Sequence, residues 1–151
     1  MAVNLRGHDI ALIRTAAAAL LAACGGGGLE VVGVAAVPPE RVVEAADRAC
    51  VALSAEGLWP DRRLLEDLVP ARIVVEDVGA LDLDGCACYG GETEVETGTI
   101  RLARHLASMA HEIAHLLEWR LDGRRSPDHR TAIWPAVGRA EREYRRWLDR
   151  R

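Results

Sequence analysis

His111 and His115 stand four residues apart in a stretch whose apolar positions repeat with helical period. Read as one helix over 102–121, that stretch places Leu102, Leu106, Ala110, Ile113 and Leu117 on a single stripe that has to face a core. Both imidazoles then project together from a different face, one turn apart. The chain is thereby committed to a helix covered on one side and open to a cleft on the other, with Gly123 as its stop.

Two imidazoles at this spacing can reach one metal ion, and Glu112 lies beside them, placed to take a proton from a water molecule. Zinc is the expected ion, because it lowers the pKa of a bound water towards about 7. With 5 His and 13 Glu in 151 residues, chance produces this pattern in roughly one such chain in a hundred. A catalytic zinc site normally has three protein ligands and an open position. His129, beyond the stop at Gly123 and expected in the first turn of the next helix, is the best-placed third ligand. Glu141 is the alternative and would give a His-His-Glu set. Glu118, on the same helix, can hardly reach around the ion, and Glu143 is a weaker rival. His8 and His105 have no partner at metal spacing. Tyr89 and Tyr144 are the two tyrosines available to stabilise an oxyanion, and Tyr144 falls on an apolar stripe.

The rest of the chain reads as α+β. Ile10, Ile13, Ala17, Leu20 and Cys24 predict an N-terminal helix, and Gly25–Gly28 a joint. Leu21-Ala22-Ala23-Cys24 also resembles a lipobox, which would make the chain a lipoprotein anchored at Cys24. Leu29–Val37 reads as a strand, and Pro38-Pro39 opens a helix striped by Val42, Val43, Ala46, Ala49, Cys50 and Leu53 and closed by Gly57. A short helix over 61–68 and a strand over 72–78 follow. Gly90-Gly91 suggests a hairpin of Gly85–Tyr89 against Val95–Leu102. Ser126-Pro127 opens a last helix to Trp147, with Ile133, Val137, Ala140, Tyr144 and Trp147 on one face and a kink at Pro135. One domain over 1–151 is expected, with residues 1–28 as helix plus joint and 80–140 as catalytic core.

Composition narrows the function classes. Hydrophobic residues make up 50% and aromatics 4%, with no Phe, so Leu, Val, Ile and Ala must fill the interior. All 19 basic residues are Arg, which removes Schiff-base and P-loop lysine chemistry. No apolar run approaches the roughly 20 residues of a membrane-spanning helix, and a cytoplasmic location is expected. Residues 1–100 hold 7 Arg against 16 acids, and 101–151 hold 12 Arg against 7. The basic last third could meet an acidic partner or nucleic acid. Cys86 and Cys88 are too close for an easy mutual bridge and read as small half-buried residues on one strand face, with thiolates that could reach an open zinc position.

The run HEIAHLLEWRLDGRRSPDHRTAIW, with Gly85-Cys86 and Gly98-Thr99-Ile100-Arg101-Leu102 upstream, resembles the SprT-like zinc metallopeptidases over roughly residues 80–140. The family's third histidine corresponds to His129 and its following bulky residue to Ile133 or Trp134. Family members usually have His-Gly there, and this chain has His129-Arg130. The resemblance implies a small zincin-like domain: a short mixed or antiparallel sheet, an active-site helix and packed flanking helices. It implies His111, His115 and His129 as Zn2+ ligands, Glu112 as general base, and a protein or peptide substrate paired along an edge strand near Ile100. The expectation is therefore a zinc metallopeptidase. The alternative is a non-proteolytic module with a structural or vestigial metal site that binds a partner or nucleic acid.

Overall fold

The computed structural model describes residues 30–58, 71–83, 85–123 and 129–151. The expected N-terminal helix and joint, Cys24, the helix over 61–68 and the Ser126-Pro127 start signal lie outside these residues. Within them the chain is α+β, running β1 (Glu30–Val32), α1 (Pro39–Ala55), β2 (Arg72–Glu76), β3 (Leu81–Leu83), β4 (Cys86–Tyr89), β5 (Gly91–Glu94), β6 (Thr99–Ala103), α2 (Met109–Asp122) and α3 (Trp134–Asp149).

Alternation builds the sheet. Ile73 and Val75 of β2 face the core, opposite Ile100 and Leu102 of β6, and all four are buried. The strand order is β1-β2-β6-β5, with β1, β2 and β6 parallel and β5 antiparallel at the edge. On the opposite face Arg101 of β6 reaches Glu76 at 2.8 Å and Glu92 at 2.9 Å, a cross-strand ion pair on each side. β1 is shorter than the expected Leu29–Val37 strand, because Val34 and Val37 fold back to bond each other.

The hairpin differs from expectation. β4 pairs with β3 in a separate two-stranded sheet, and β5 is the antiparallel partner of β6, Gly91 facing Leu102 and Glu94 facing Thr99. The turn falls at 95–98, where Gly98 adopts φ +69. A register irregularity between Leu81 and Asp82 bends the small sheet. The Cα atoms of Cys86 and Cys88 are 5.3 Å apart, within disulfide reach, and the two are bonded. Both are exposed, contrary to the half-buried free thiols expected.

The helix over 102–121 also starts later than expected. Leu102 is in β6, Leu106 is in a loop at φ +60, and the helix opens at Met109. All five residues of the expected stripe are buried nonetheless. The i,i+4 spacing of Leu102 and Leu106 imitates a helix, but Thr99–Ala103 has strand partners on both sides and pairs with them. The stop at Gly123 is as expected, with φ +61 and its N–H donating to the Trp119 carbonyl at 2.9 Å.

α1 packs against α2 and α3 across Val42, Ala45, Ala49, Leu53, Ile113, Leu117, Val137 and Ala140, all fully buried. Each buried Leu or Ile contributes about 1.5–3 kcal/mol, and the alanines let helices approach closely in a core without Phe. Pro135 does not kink α3. The helix begins at Trp134, so Pro135 occupies the first turn, where its missing N–H is not needed. The charge asymmetry is partly answered inside the chain: Arg101, Arg104, Arg139 and Arg151 meet Glu76 and Glu92, Asp77, Glu56 and Glu44. Among the described residues no helix is long and apolar enough to cross a membrane.

Candidate metal centre

α2 carries His111 and His115 on one face, and their Nε2 atoms lie 3.2 Å apart. Two nitrogens on one tetrahedral zinc at about 2.0–2.1 Å are about 3.3 Å from each other, so this pair has chelate spacing. His129 completes the group. Its ring centroid is 4.8 Å from that of His111 and 5.2 Å from that of His115. One ligand atom from each of the three falls within 4.8 Å of the others, so the donor set could hold a metal ion.

His129 is not in the first turn of α3 as expected. It precedes the helix, exposed, with a left-handed backbone at φ +54. The Trp134 ring at the head of α3 lies against all three imidazoles, at 5.1 Å from His111, 4.9 Å from His115 and 4.4 Å from His129.

Glu141 and Glu118 stand behind the imidazoles. Glu141 Oε1 is 2.5 Å from Nδ1 of His111, opposite the Nε2 that faces the cluster. Burial raises the Glu141 pKa, but the hydrogen bond and charge of His111 outweigh it and hold the carboxyl below its ordinary value. Burial lowers His111, but the hydrogen bond it makes to Glu141, with the charges of Glu112 and Glu141, carries it above its ordinary value. An ionised Glu141 therefore accepts the Nδ1 proton, and the Nε2 lone pair is left to the centre. Glu118 is fully buried, with Oε1 3.8 Å from His115 Nδ1. Its Oε2 accepts from the Thr131 hydroxyl and from the Trp134 indole N–H, each at 2.5 Å. Glu143 is exposed and pairs with Arg146 at 3.3 Å.

Glu112 is buried beneath β5. Thr93 donates its hydroxyl to Glu112 Oε2 at 2.6 Å and lies 3.0 Å from the Glu112 carbonyl oxygen. Burial lifts the Glu112 carboxyl above its ordinary range, and the Thr93 bond offsets part of that rise. Gly91 permits the approach: a Cβ there would lie 2.7 Å from Glu112 Cγ. Glu112, Thr93 and the three histidines line one cleft of about 340 Å³, with Gly91, Glu92, Val95, Leu83 and Tyr89 on its other walls. Tyr144 is elsewhere, buried and donating to the Leu106 carbonyl at 2.7 Å. His105 Nδ1 accepts the Ala107 N–H at 3.0 Å, outside the cluster.

Sequence reasoning missed Thr93 and Thr131. A threonine on the core-facing side of a strand needs a partner for its hydroxyl, but that signal becomes available only once β5 is placed at Gly91–Glu94. Comparison with protein-family models, curated proteins and solved structures finds no match for the chain.

Proposed function

We propose that the chain is a zinc-dependent metallopeptidase of the SprT-like, zincin kind, hydrolysing peptide bonds in the cleft beside His111, His115 and His129. One observation carries the reading: three imidazoles converge on one point, and a buried carboxylate lines the same cleft. The donor set fits zinc, since histidine nitrogens are ordinary zinc ligands and the His111 tautomer is set by Glu141. A bound zinc ion would supply Lewis acidity, polarising a peptide carbonyl and making water acidic enough to ionise near neutral pH.

The chain's own residues supply the proton path. Thr93 occupies Glu112 Oε2 and leaves Oε1 to take a proton from the attacking water. The water oxygen bonds to the carbonyl carbon, the C–N bond breaks, and Glu112 returns the proton to the departing nitrogen. The substrate backbone is held along β5, the sheet edge that borders the cleft. This revises the pairing expected near Ile100, because β6 already has β2 and β5 on its two sides. Tyr89, 45% exposed on a cleft wall, is the tyrosine placed to meet a substrate.

The test is Glu112→Gln, assayed for zinc content and for cleavage of an unfolded protein such as casein. Zinc should be retained and hydrolysis should fall by about 10²–10⁴-fold. Full turnover in that variant, or wild-type protein that takes up no zinc, rejects the reading.

A further inference from the structure

Glu118 is the least accountable group near the site: a carboxylate with no exposure, on the helix that carries two of the histidines but pointing away from their Nε2 atoms. A buried charge is retained only where hydrogen bonds compensate its lost hydration. Two of those bonds come from residues 131 and 134, on the segment that leads from His129 into α3. If that segment swung outward, the Thr131 and Trp134 bonds would break and leave a buried carboxylate short of donors.

His129 needs such an anchor. It is exposed, and its backbone sits in the left-handed region that a residue with a Cβ occupies only when its surroundings impose it. Two positions on, Thr131 is tied to Glu118, and five positions on, Trp134 is tied to the same oxygen. The Trp134 ring then lies 4.4 Å from the His129 ring. The carboxylate thus links α2, which bears His111 and His115, to the segment that bears His129.

We propose that Glu118 is the positioning residue for the third metal ligand, clamping residues 129–134 against α2 so that His129 is held ready for the ion. The inference rests on the three-histidine reading of the site. It assigns Glu118 a role toward His129, distinct from direct ligation and from a general contribution to the core.

Cobalt(II) titration of the full chain, followed by visible absorption and by competition with zinc, tests it in a double-mutant cycle. Glu118→Leu should weaken binding about 10–100-fold, as losing a supporting hydrogen bond at a metal site does. His129→Ala should weaken it comparably, and the double variant should bind no more weakly than His129→Ala alone. Glu118→Gln keeps an oxygen that can accept from both Thr131 and Trp134, and should recover most of the loss. Should Glu118→Leu fail to fold, Thr131→Val combined with Trp134→Phe enters the same cycle with the same expectation. Losses that multiply in the double variant place the action of Glu118 somewhere other than His129 and overturn the proposal, as does unchanged affinity in Glu118→Leu. A wild-type chain that binds neither cobalt nor zinc removes the site itself and the proposal with it.

Discussion

The Thr93 hydroxyl donates to Glu112 Oε2 at 2.6 Å, joining the edge strand of the sheet to the buried acid that shares the histidine cleft. This bond favours the ionised form of Glu112, while burial opposes it more strongly. The base proposed at Glu112 is therefore lost on acidification at a higher pH than an ordinary carboxylate would be. Thr93→Val removes the favourable bond and keeps the shape. We expect zinc content to be unchanged, kcat to fall about 10-fold or more, and the acid limb of the kcat/KM profile to move to higher pH. An acid limb that stays in place would show that Thr93 does not act through Glu112.

Metal uptake should depend on pH through His111. The ion needs the Nε2 lone pair, and the imidazolium has none to give. Because the His111 pKa lies above its ordinary value, zinc affinity should still be rising with pH above about 6.5, the usual histidine value. Glu141→Leu removes the charge and the acceptor behind the ring, so the break in log Kd against pH should move to lower pH. Affinity on the alkaline plateau should fall about 10–100-fold, because the ring loses its orientation. In metal-free protein the same pair makes stability pH-dependent. The raised His111 contributes stability present below the ordinary histidine pKa and lost as pH rises through its folded value. The lowered Glu141 contributes stability present above the ordinary carboxylate pKa and lost as pH falls through its folded value. The pair's contribution is thus largest between about pH 4.3 and 6.5, and thermal melts with Glu141→Leu as reference would show that window.

The histidines could be read from spacing because i,i+4 geometry is local, and His129 because a third nitrogen donor has few places to come from. Glu141 and Glu118 could not be sorted from ligands in this way. A glutamate near the site can bind an ion or brace an imidazole, and only tertiary placement shows which nitrogen it meets. The same limit applies to the fold. Leu102 and Leu106 are spaced like helix residues, yet a strand and a loop deliver both to one core. Pro135 reads as a kink only if the helix opens at Ser126-Pro127; in a helix that begins at Trp134 it is a first-turn residue. Gly90-Gly91 has the composition of a turn, although the need at Gly91 is for space above Glu112.

That need gives a direct prediction for Gly91→Ala. The added methyl would lie 2.7 Å from Glu112 Cγ, 3.0 Å from Leu102 Cδ2 and 3.2 Å from the Arg101 carbonyl oxygen. The backbone oxygen sits in the β5–β6 ladder and cannot retreat, so the Glu112 side chain or the edge strand must shift. Overpacking of this kind costs about 1–3 kcal/mol. We expect a lower Tm together with a loss of kcat larger than that of Thr93→Val, because both the base and the strand proposed to hold substrate are displaced. A Gly91→Ala variant with wild-type Tm and undiminished hydrolysis would mean that β5 does not lie against Glu112 in solution.

Cys50 offers a probe of the core that is independent of the metal. It is buried on α1, in the cluster that joins that helix to α2 and α3. Burial, with the charge of Asp47, pushes its thiol far above the ordinary cysteine pKa, so the nucleophilic thiolate is scarce in the folded state. Alkylation at Cys50 should therefore require opening of the helical layer. Followed by peptide mass spectrometry in rising urea, its labelling should coincide with the loss of helical circular dichroism. Leu53→Ala, which removes a fully buried side chain one turn along, should cost about 2–5 kcal/mol and shift both transitions to lower urea together. Rapid labelling of Cys50 in native buffer would place α1 outside a stable core and undo the helix packing described above.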